Sequence, residues 1–355
     1  MVLEFYGLRE QPFGVTPNPR YLYLSPSHRE ALASLVYGIE SGRGFLALIA
    51  PPGMGKTTLL FQLLEQLGSK AKTVFLFQTQ CGARGFLRSL MADLGMPPGE
   101  EDQVVLQARL NEILIEELKA RRKFVLVVDE AQNLDDSALE FVRMLSNFET
   151  PRDKLMQIVL AGQPQLAEKL AQPSMTQLRQ RISMLIRLRP LGVAEVAGYV
   201  EHRLRVAGYE GAPLFSGGAL SAMASLSGGI PRNINNICFN ALSLGYASSQ
   251  KLIDSGTVRE VAVDLDLRSF MGETGVSPPA ADVEPDPLAN QRQRGSCHSD
   301  GWAILLDRIS EPAARPYSIA RIETERRSSK CVEPGSHLTE GAERDADRRN
   351  LRLVN

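Results

Sequence analysis

The sequence has no apolar run long enough to cross a bilayer. Its longest stretches, 44–50 and 124–128, fall far short of the ~20 residues a membrane helix needs. The opening Met1-Val2-Leu3-Glu4-Phe5 lacks the basic-then-apolar order of a secretory signal, so the chain reads as cytoplasmic. Cysteine and histidine are scarce. The four cysteines, at 81, 238, 297 and 331, form no CxxC pair, and the four histidines are equally dispersed. That pattern argues against a disulfide framework and against a zinc site. Cys297-His298 is an adjacent pair, but one pair does not make a metal cluster. No charge of one sign dominates: 40 Lys and Arg face 41 Asp and Glu, a net charge of -1. A global attraction to nucleic acid or to an anionic membrane is therefore excluded, and only local basic patches remain. No internal repeat is visible.

What is present is an ordinary globular composition, 43% apolar and 23% charged, in 355 residues. That length exceeds one average domain of ~150 residues. Residues 1–44 mix aromatics with prolines, and a helical stretch opens near Ser27, with Leu32, Leu35, Val36 and Ile39 on one face. From Phe45 onward strands and helices alternate. Strands are expected over 45–49, 73–77, 124–128, 155–160 and 182–188. Helices are expected after residue 55, over 86–94 and 104–120, and after Asp135 or Asp136 as cap. Such alternation predicts an α/β fold, a mostly parallel sheet with helices on both faces, over residues 45–190. Past Pro190 only helices are expected, over 193–207, 218–226, 231–247 and 254–264, giving a small all-helical domain over 191–267. Residues 268–355 change character again. Only fourteen Leu, Ile, Val and Phe fall in the 85 positions from 271, and prolines recur. So little apolar surface cannot offset the entropy of ordering, which predicts a disordered tail. Its one apolar patch, 302–309, is either a binding peptide or plain linker.

The strongest chemical signal is Ala50-Pro51-Pro52-Gly53-Met54-Gly55-Lys56-Thr57-Thr58, set between a strand and a helix. Glycines there let backbone N–H groups turn inward around phosphate oxygens, and the helix N-terminus adds positive potential. Lys56 is placed to reach β- and γ-phosphates, and the Thr57 hydroxyl to ligate Mg²⁺. Ala50 stands where the first glycine of the pattern belongs, which is tolerable if its φ is negative. Some 70 residues on, the apolar strand Val125–Val128 ends in Asp129-Glu130. Asp129 then suits the Mg²⁺ shell, and Glu130 suits the water-activating base. These residues call for ATP and Mg²⁺.

Three further polar positions are candidates. Gln163 ends the fourth strand, either between the carboxylates and the γ-phosphate or as a plain loop glutamine before Pro164. Arg179 and Arg181 precede the fifth strand, and either could enter a neighbour's site to stabilise the transferring phosphoryl. Gly228-Gly229-Ile230-Pro231-Arg232 opens a helix, and Arg232 could reach back to the γ-phosphate or serve as an ordinary helix-start arginine.

In this order, these features resemble the AAA+ ATPase superfamily over residues 1 to about 267. The opening Phe5-Tyr6-Gly7-Leu8-Arg9-Glu10-Gln11-Pro12-Phe13 resembles secretion ATPases of the general secretion pathway protein A (ExeA-like) type more narrowly. Thr16-Pro17-Asn18-Pro19-Arg20, Ser27-His28-Arg29, Asp129-Glu130-Ala131-Gln132-Asn133-Leu134 and Gly162-Gln163-Pro164 carry the same resemblance. The resemblance implies a bacterial, ring-forming ATPase in secretion or pilus machinery, cytoplasmic or peripheral at the inner membrane. Members often carry a membrane segment and a peptidoglycan-binding region after the ATPase module, and this tail has the pattern of neither. It further implies that the segment 13–37 lines the adenine pocket. Related ATPases serve transposition, so the alternative is a nucleotide-dependent switch for DNA or protein partners. Basic clusters at 121–123, 179–189 and Arg203 with Arg205 would then meet DNA. A monomeric small-molecule kinase fits the helical segment past Pro190 poorly.

Overall fold

Burial on both faces shapes the central sheet. Strands β1 (Phe45–Ile49), β2 (Ala71–Leu76), β3 (Lys123–Val128), β4 (Met156–Gly162) and β5 (Met184–Arg187) are all parallel, in the order β2-β3-β4-β1-β5. Near-continuous apolar runs such as Phe-Leu-Ala-Leu-Ile are what strands covered on both faces require. The computed structural model describes residues 2–77, 82–96 and 102–265. The expected disordered tail, Cys297-His298 and the patch at 302–309 lie outside them.

Successive side chains divide between two cores. Phe45, Ile49, Leu126, Val128, Ile158 and Leu160 face one side. There they meet α4 (Ala83–Asp93), α5 (Gln103–Lys119), α6 (Asp136–Leu145) and α7 (Pro164–Ala171). Leu46, Leu48, Val125, Val127, Val159 and Ala161 face the other, under α2 (Pro26–Glu40) and α3 (Lys56–Leu67). All five strands lie within about two residues of their expected bounds. Helix α7 and the short helices α1 (Val2–Tyr6) and α8 (Thr176–Arg179) are new. At eight residues or fewer, each is too short to show a helical repeat in the sequence.

A third core belongs to the helical lid, α9 (Val193–Val206), α10 (Gly217–Ser227), α11 (Pro231–Ala247) and α12 (Ser255–Asp264). Tyr6, Leu8, Phe13 and Tyr21 from the start of the chain are buried within it. The first residues thus strap the lid, while α2 packs on the sheet. The chain enters the lid at Leu191, whose N–H donates to the Gly229 carbonyl at 2.9 Å. Gly229 has φ +70°, and a Cβ there would sit 2.2 Å from the Leu191 carbonyl oxygen, so only glycine fits.

Ser25 caps α2 by accepting from the His28 N–H at 3.3 Å. The His28 ring is buried. Its Nδ1 lies 2.8 Å from Ser25 Oγ, and its Nε2 lies 3.0 Å from the Met54 carbonyl in the loop after β1. A carbonyl only accepts, so Nε2 carries the proton, and in the neutral ring Nδ1 accepts from the serine hydroxyl. Burial holds its pKa below 6.5, against the Met54 contact and Glu195.

Two stability outcomes are expected. Leu160→Ala, in the fully buried centre of β4, costs about 2–5 kcal/mol, read as a lowered denaturant midpoint. For His28, the unfolded chain binds the proton more readily than the fold does. Its contribution is therefore complete above pH 6.5 and is lost as pH falls below it. Between pH 7.5 and 5.5 the midpoint of wild type should drop further than that of His28→Gln. Equal drops would contradict this.

Candidate nucleotide-binding and hydrolysis site

At the carboxyl ends of β1, β3 and β4, three adjacent strands deliver the loop 50–55, the pair Asp129-Glu130 and Gln163 to one place. That edge is where parallel α/β sheets bind ligands. Pro52, Gly53, Met54, Gly55, Lys56, Thr57 and Thr58 all line the cleft, with Glu130, Gln163 and Arg232. Ala50 is not among the non-glycine residues with positive φ, as its departure from the glycine pattern requires. Gly53 has φ +81°, and a Cβ on it would lie 2.8 Å from Arg232 Cβ. The carbonyl of Gly53 accepts the Arg232 N–H at 3.2 Å, so the first turn of α11 rests directly on the loop.

Lys56 opens α3 and is buried, its Nζ donating to the Ala50 carbonyl at 3.1 Å. Burial pulls its pKa down, while Glu130 and Asp129 pull it up. The Thr57 hydroxyl donates to Asp129 Oδ2 at 2.6 Å. Asp129 has no solvent exposure, and its Oδ1 accepts the Glu130 N–H at 2.9 Å. Burial pushes the Asp129 carboxyl up, opposed by the hydrogen bonds from Thr57 and Glu130. Paired hard oxygens on a buried acid are the donor chemistry that Mg²⁺ takes, so these residues fit that ion. A bound dication would also relieve the desolvated carboxylate.

Glu130 takes a left-handed conformation, φ +52° and ψ +38°, as the chain leaves β3. Its Oε2 accepts from Gln163 Nε2 at 3.0 Å and from Gln132 Nε2 at 2.5 Å. Gln163 is therefore beside the second acid, and Arg232 is at the loop. The remaining two candidates lie apart from this cluster. Arg181 donates from Nη1 to Ser146 Oγ at 3.1 Å. Arg179 is exposed on α8, with a 3.4 Å contact to the Ala171 carbonyl.

Gly14 to Asn18 and Tyr21 to Tyr23 also line the cleft. They are fixed by a buried network. Arg203 Nε donates to the Pro12 carbonyl at 2.6 Å and Nη1 to the Tyr199 hydroxyl at 3.1 Å. Tyr199 in turn donates to Asn235 Oδ1 at 2.7 Å, and Asn235 Nδ2 to the Gly14 carbonyl at 3.3 Å. The guanidinium of Arg203 also lies over the Tyr21 ring at 4.7 Å. This corrects the expectation of a basic surface at Arg203, while Arg205 is exposed. Arg203 is core, Arg205 pairs with Glu201 at 2.7 Å, and Arg122 pairs with Glu117 at 2.6 Å. Sequence reasoning missed the roles of His28, Gln132 and Asn235. For Gln132 the signal was available: a second amide two residues past the acids, in a turn.

Among the described residues no helix is long and apolar enough to cross a membrane. Residues 39–170 match the AAA domain family. The chain is 40% identical over 266 residues to general secretion pathway protein A of Aeromonas hydrophila, a match covering 75% of this chain and 48% of that protein. The chain thus spans about half the length of this curated relative. Its fold is similar to that of Cdc6p from Pyrobaculum aerophilum, at TM-score 0.54 and 18% identity, over 71% of this chain and 70% of that one. It is also similar to the Aeropyrum pernix ORC2 protein, at TM-score 0.54 and 15% identity, over 72% and 71% of the two chains. The Walker-type ATPase of Pyrococcus abyssi gives TM-score 0.53 and 16% identity, over 74% and 78%. At these identities the solved structures speak for the fold, while the secretion protein speaks for the kind. The match to the AAA domain family over 39–170 and that sequence identity identify the chain as an AAA-domain protein related to general secretion pathway protein A.

Proposed function

We propose that this chain binds ATP with Mg²⁺ in the cleft and hydrolyses it, acting in the cytoplasm as an oligomeric ATPase of bacterial secretion or pilus assembly. The observation that carries the chemistry is the convergence of Lys56, Thr57, Asp129, Glu130 and Gln163 at one end of three adjacent strands. The process served is carried by the identity to general secretion pathway protein A.

In this reading the loop 52–58 cradles the phosphates with backbone N–H groups at the start of α3. Lys56 leaves the Ala50 carbonyl for a phosphate oxygen. Thr57 and Asp129 would hold Mg²⁺, which when bound offsets charge on the β- and γ-phosphates. Glu130 orients the attacking water and takes its proton. Gln163 answers to the γ-phosphate from the end of β4, and Arg232 from the first turn of the lid. Because Arg232 also holds Gly53 through its backbone, a shift of the loop is transmitted to α11.

Of the two candidate fingers, Arg179 suits a neighbouring copy better, since it is exposed while Arg181 is tied to Ser146. The switch reading leaned partly on basic clusters, of which Arg203 is buried and Arg122, Arg189 and Arg205 are ion-paired, and no observation favours it over turnover.

Glu130→Gln should lower ATP turnover by about 10²-fold or more and leave ATP affinity within a few fold. Unchanged turnover would remove Glu130 as the base. Arg179→Ala should also be inactive alone, a finger being worth ~10³–10⁵ in rate. Mixed with Glu130→Gln it should regain activity, because a chain with an intact base then meets a neighbour with an intact arginine. If the mixture stays inactive while an Arg181→Ala mixture recovers, Arg181 is the finger.

A further inference from the structure

A general base needs one oxygen free for the water and the other held still. Glu130 shows that division. Its Oε2 accepts two amide N–H groups, from Gln132 Nε2 at 2.5 Å and Gln163 Nε2 at 3.0 Å, filling the two lone pairs of that oxygen. The two glutamines are themselves joined, since the Gln163 backbone N–H donates to Gln132 Oε1 at 3.0 Å. A backbone N–H can only donate, so Oε1 of Gln132 must face β4 and its Nε2 must face the carboxylate. The network leaves one orientation of the amide.

Local backbone brings Gln132 to that place. The left-handed Glu130 turns the chain into a short 3-10 turn, Ala131–Asn133, which carries residue 132 back beneath the carboxylate. The neighbouring strand leaves it room: a Cβ on Gly162 would lie 2.9 Å from Gln132 Oε1. Glu130 and Gln163 line the cleft with Lys56 and Thr57, and Gln132 braces the pair through the end of β4.

We propose that Gln132 is a positioning residue for hydrolysis, pinning Glu130 Oε2 to the end of β4 so that Oε1 faces the attacking water. This rests on Glu130 being the base. Gln163 can then leave Oε2 for a phosphate oxygen without releasing the carboxylate, because Gln132 keeps its hold. The two glutamines divide the work: Gln132 fixes the base, and Gln163 moves with nucleotide.

The test uses the full chain with ATP and Mg²⁺. Gln132→Met removes the amide at similar length. Gln132→Glu keeps an acceptor for the Gln163 N–H but offers Glu130 no donor. Both should lower kcat by roughly 10²-fold, the cost of a misplaced reacting group, with KM for ATP within about threefold. Placed in the Glu130→Gln background, either should cause no further loss, since there is no base left to position. Several results would overturn the proposal: near wild-type kcat in either variant, a matching loss of ATP affinity, an added loss in the Glu130→Gln background, or failure of both variants to fold. Turnover persisting in Glu130→Gln alone would instead overturn the base, and is read first.

Discussion

The loop after β1 is shared by two bodies, and much else depends on that sharing. Gly53 offers its carbonyl to the Arg232 N–H and its bare Cα to the Arg232 side chain, with no room for a methyl between them. On the other side His28 holds the carbonyl of Met54 from α2. A phosphate entering this loop therefore meets backbone already fastened to the sheet layer and to the lid. Small changes in loop geometry bear on both α2 and α11 through these contacts.

The same cleft concentrates buried charge. Lys56 and Asp129 are both taken out of water, and their pKa values are drawn toward each other by burial. Among the described residues neither has an ion-pair partner: Lys56 falls back on a loop carbonyl, and Asp129 on the Thr57 hydroxyl and the Glu130 N–H. A fold that maximised stability alone would not bury these groups so thinly compensated. Their arrangement makes sense as a site prepared for a polyanion and a cation together. The lid shows a similar economy with Arg203, which is buried on aromatic rings, a carbonyl and a hydroxyl, and ties the chain's first residues to α9.

Much of this was legible in the sequence because strong, local rules apply. Strands buried on both faces read as apolar runs, the phosphate loop has a fixed spacing, and Asp129-Glu130 ends a strand. The acids, the loop and Gln163 come together as the alternation of strands and helices implied. What was not legible depends on contacts far apart in the chain. Nothing in the spacing of Tyr6, Phe13 and Tyr21 says that they pack with α9 to α12 rather than with the sheet. Arg203 reads as surface charge beside Arg205, yet the helical turn puts one inward and the other outward. Arg179 and Arg181, two residues apart, could be separated only once Ser146 was seen to hold one of them.

Exposure of Arg179 on α8, apart from the cluster around Glu130, means that a single chain offers its own site Lys56 and Arg232 as cations but not that arginine. ATP turnover per chain, measured over a wide range of the protein's own concentration, decides whether a second copy completes the site. Turnover per chain should rise steeply with concentration and level off once the copies are assembled. A rate per chain that is substantial and flat down to the most dilute sample would contradict it, because each chain would then hydrolyse ATP alone.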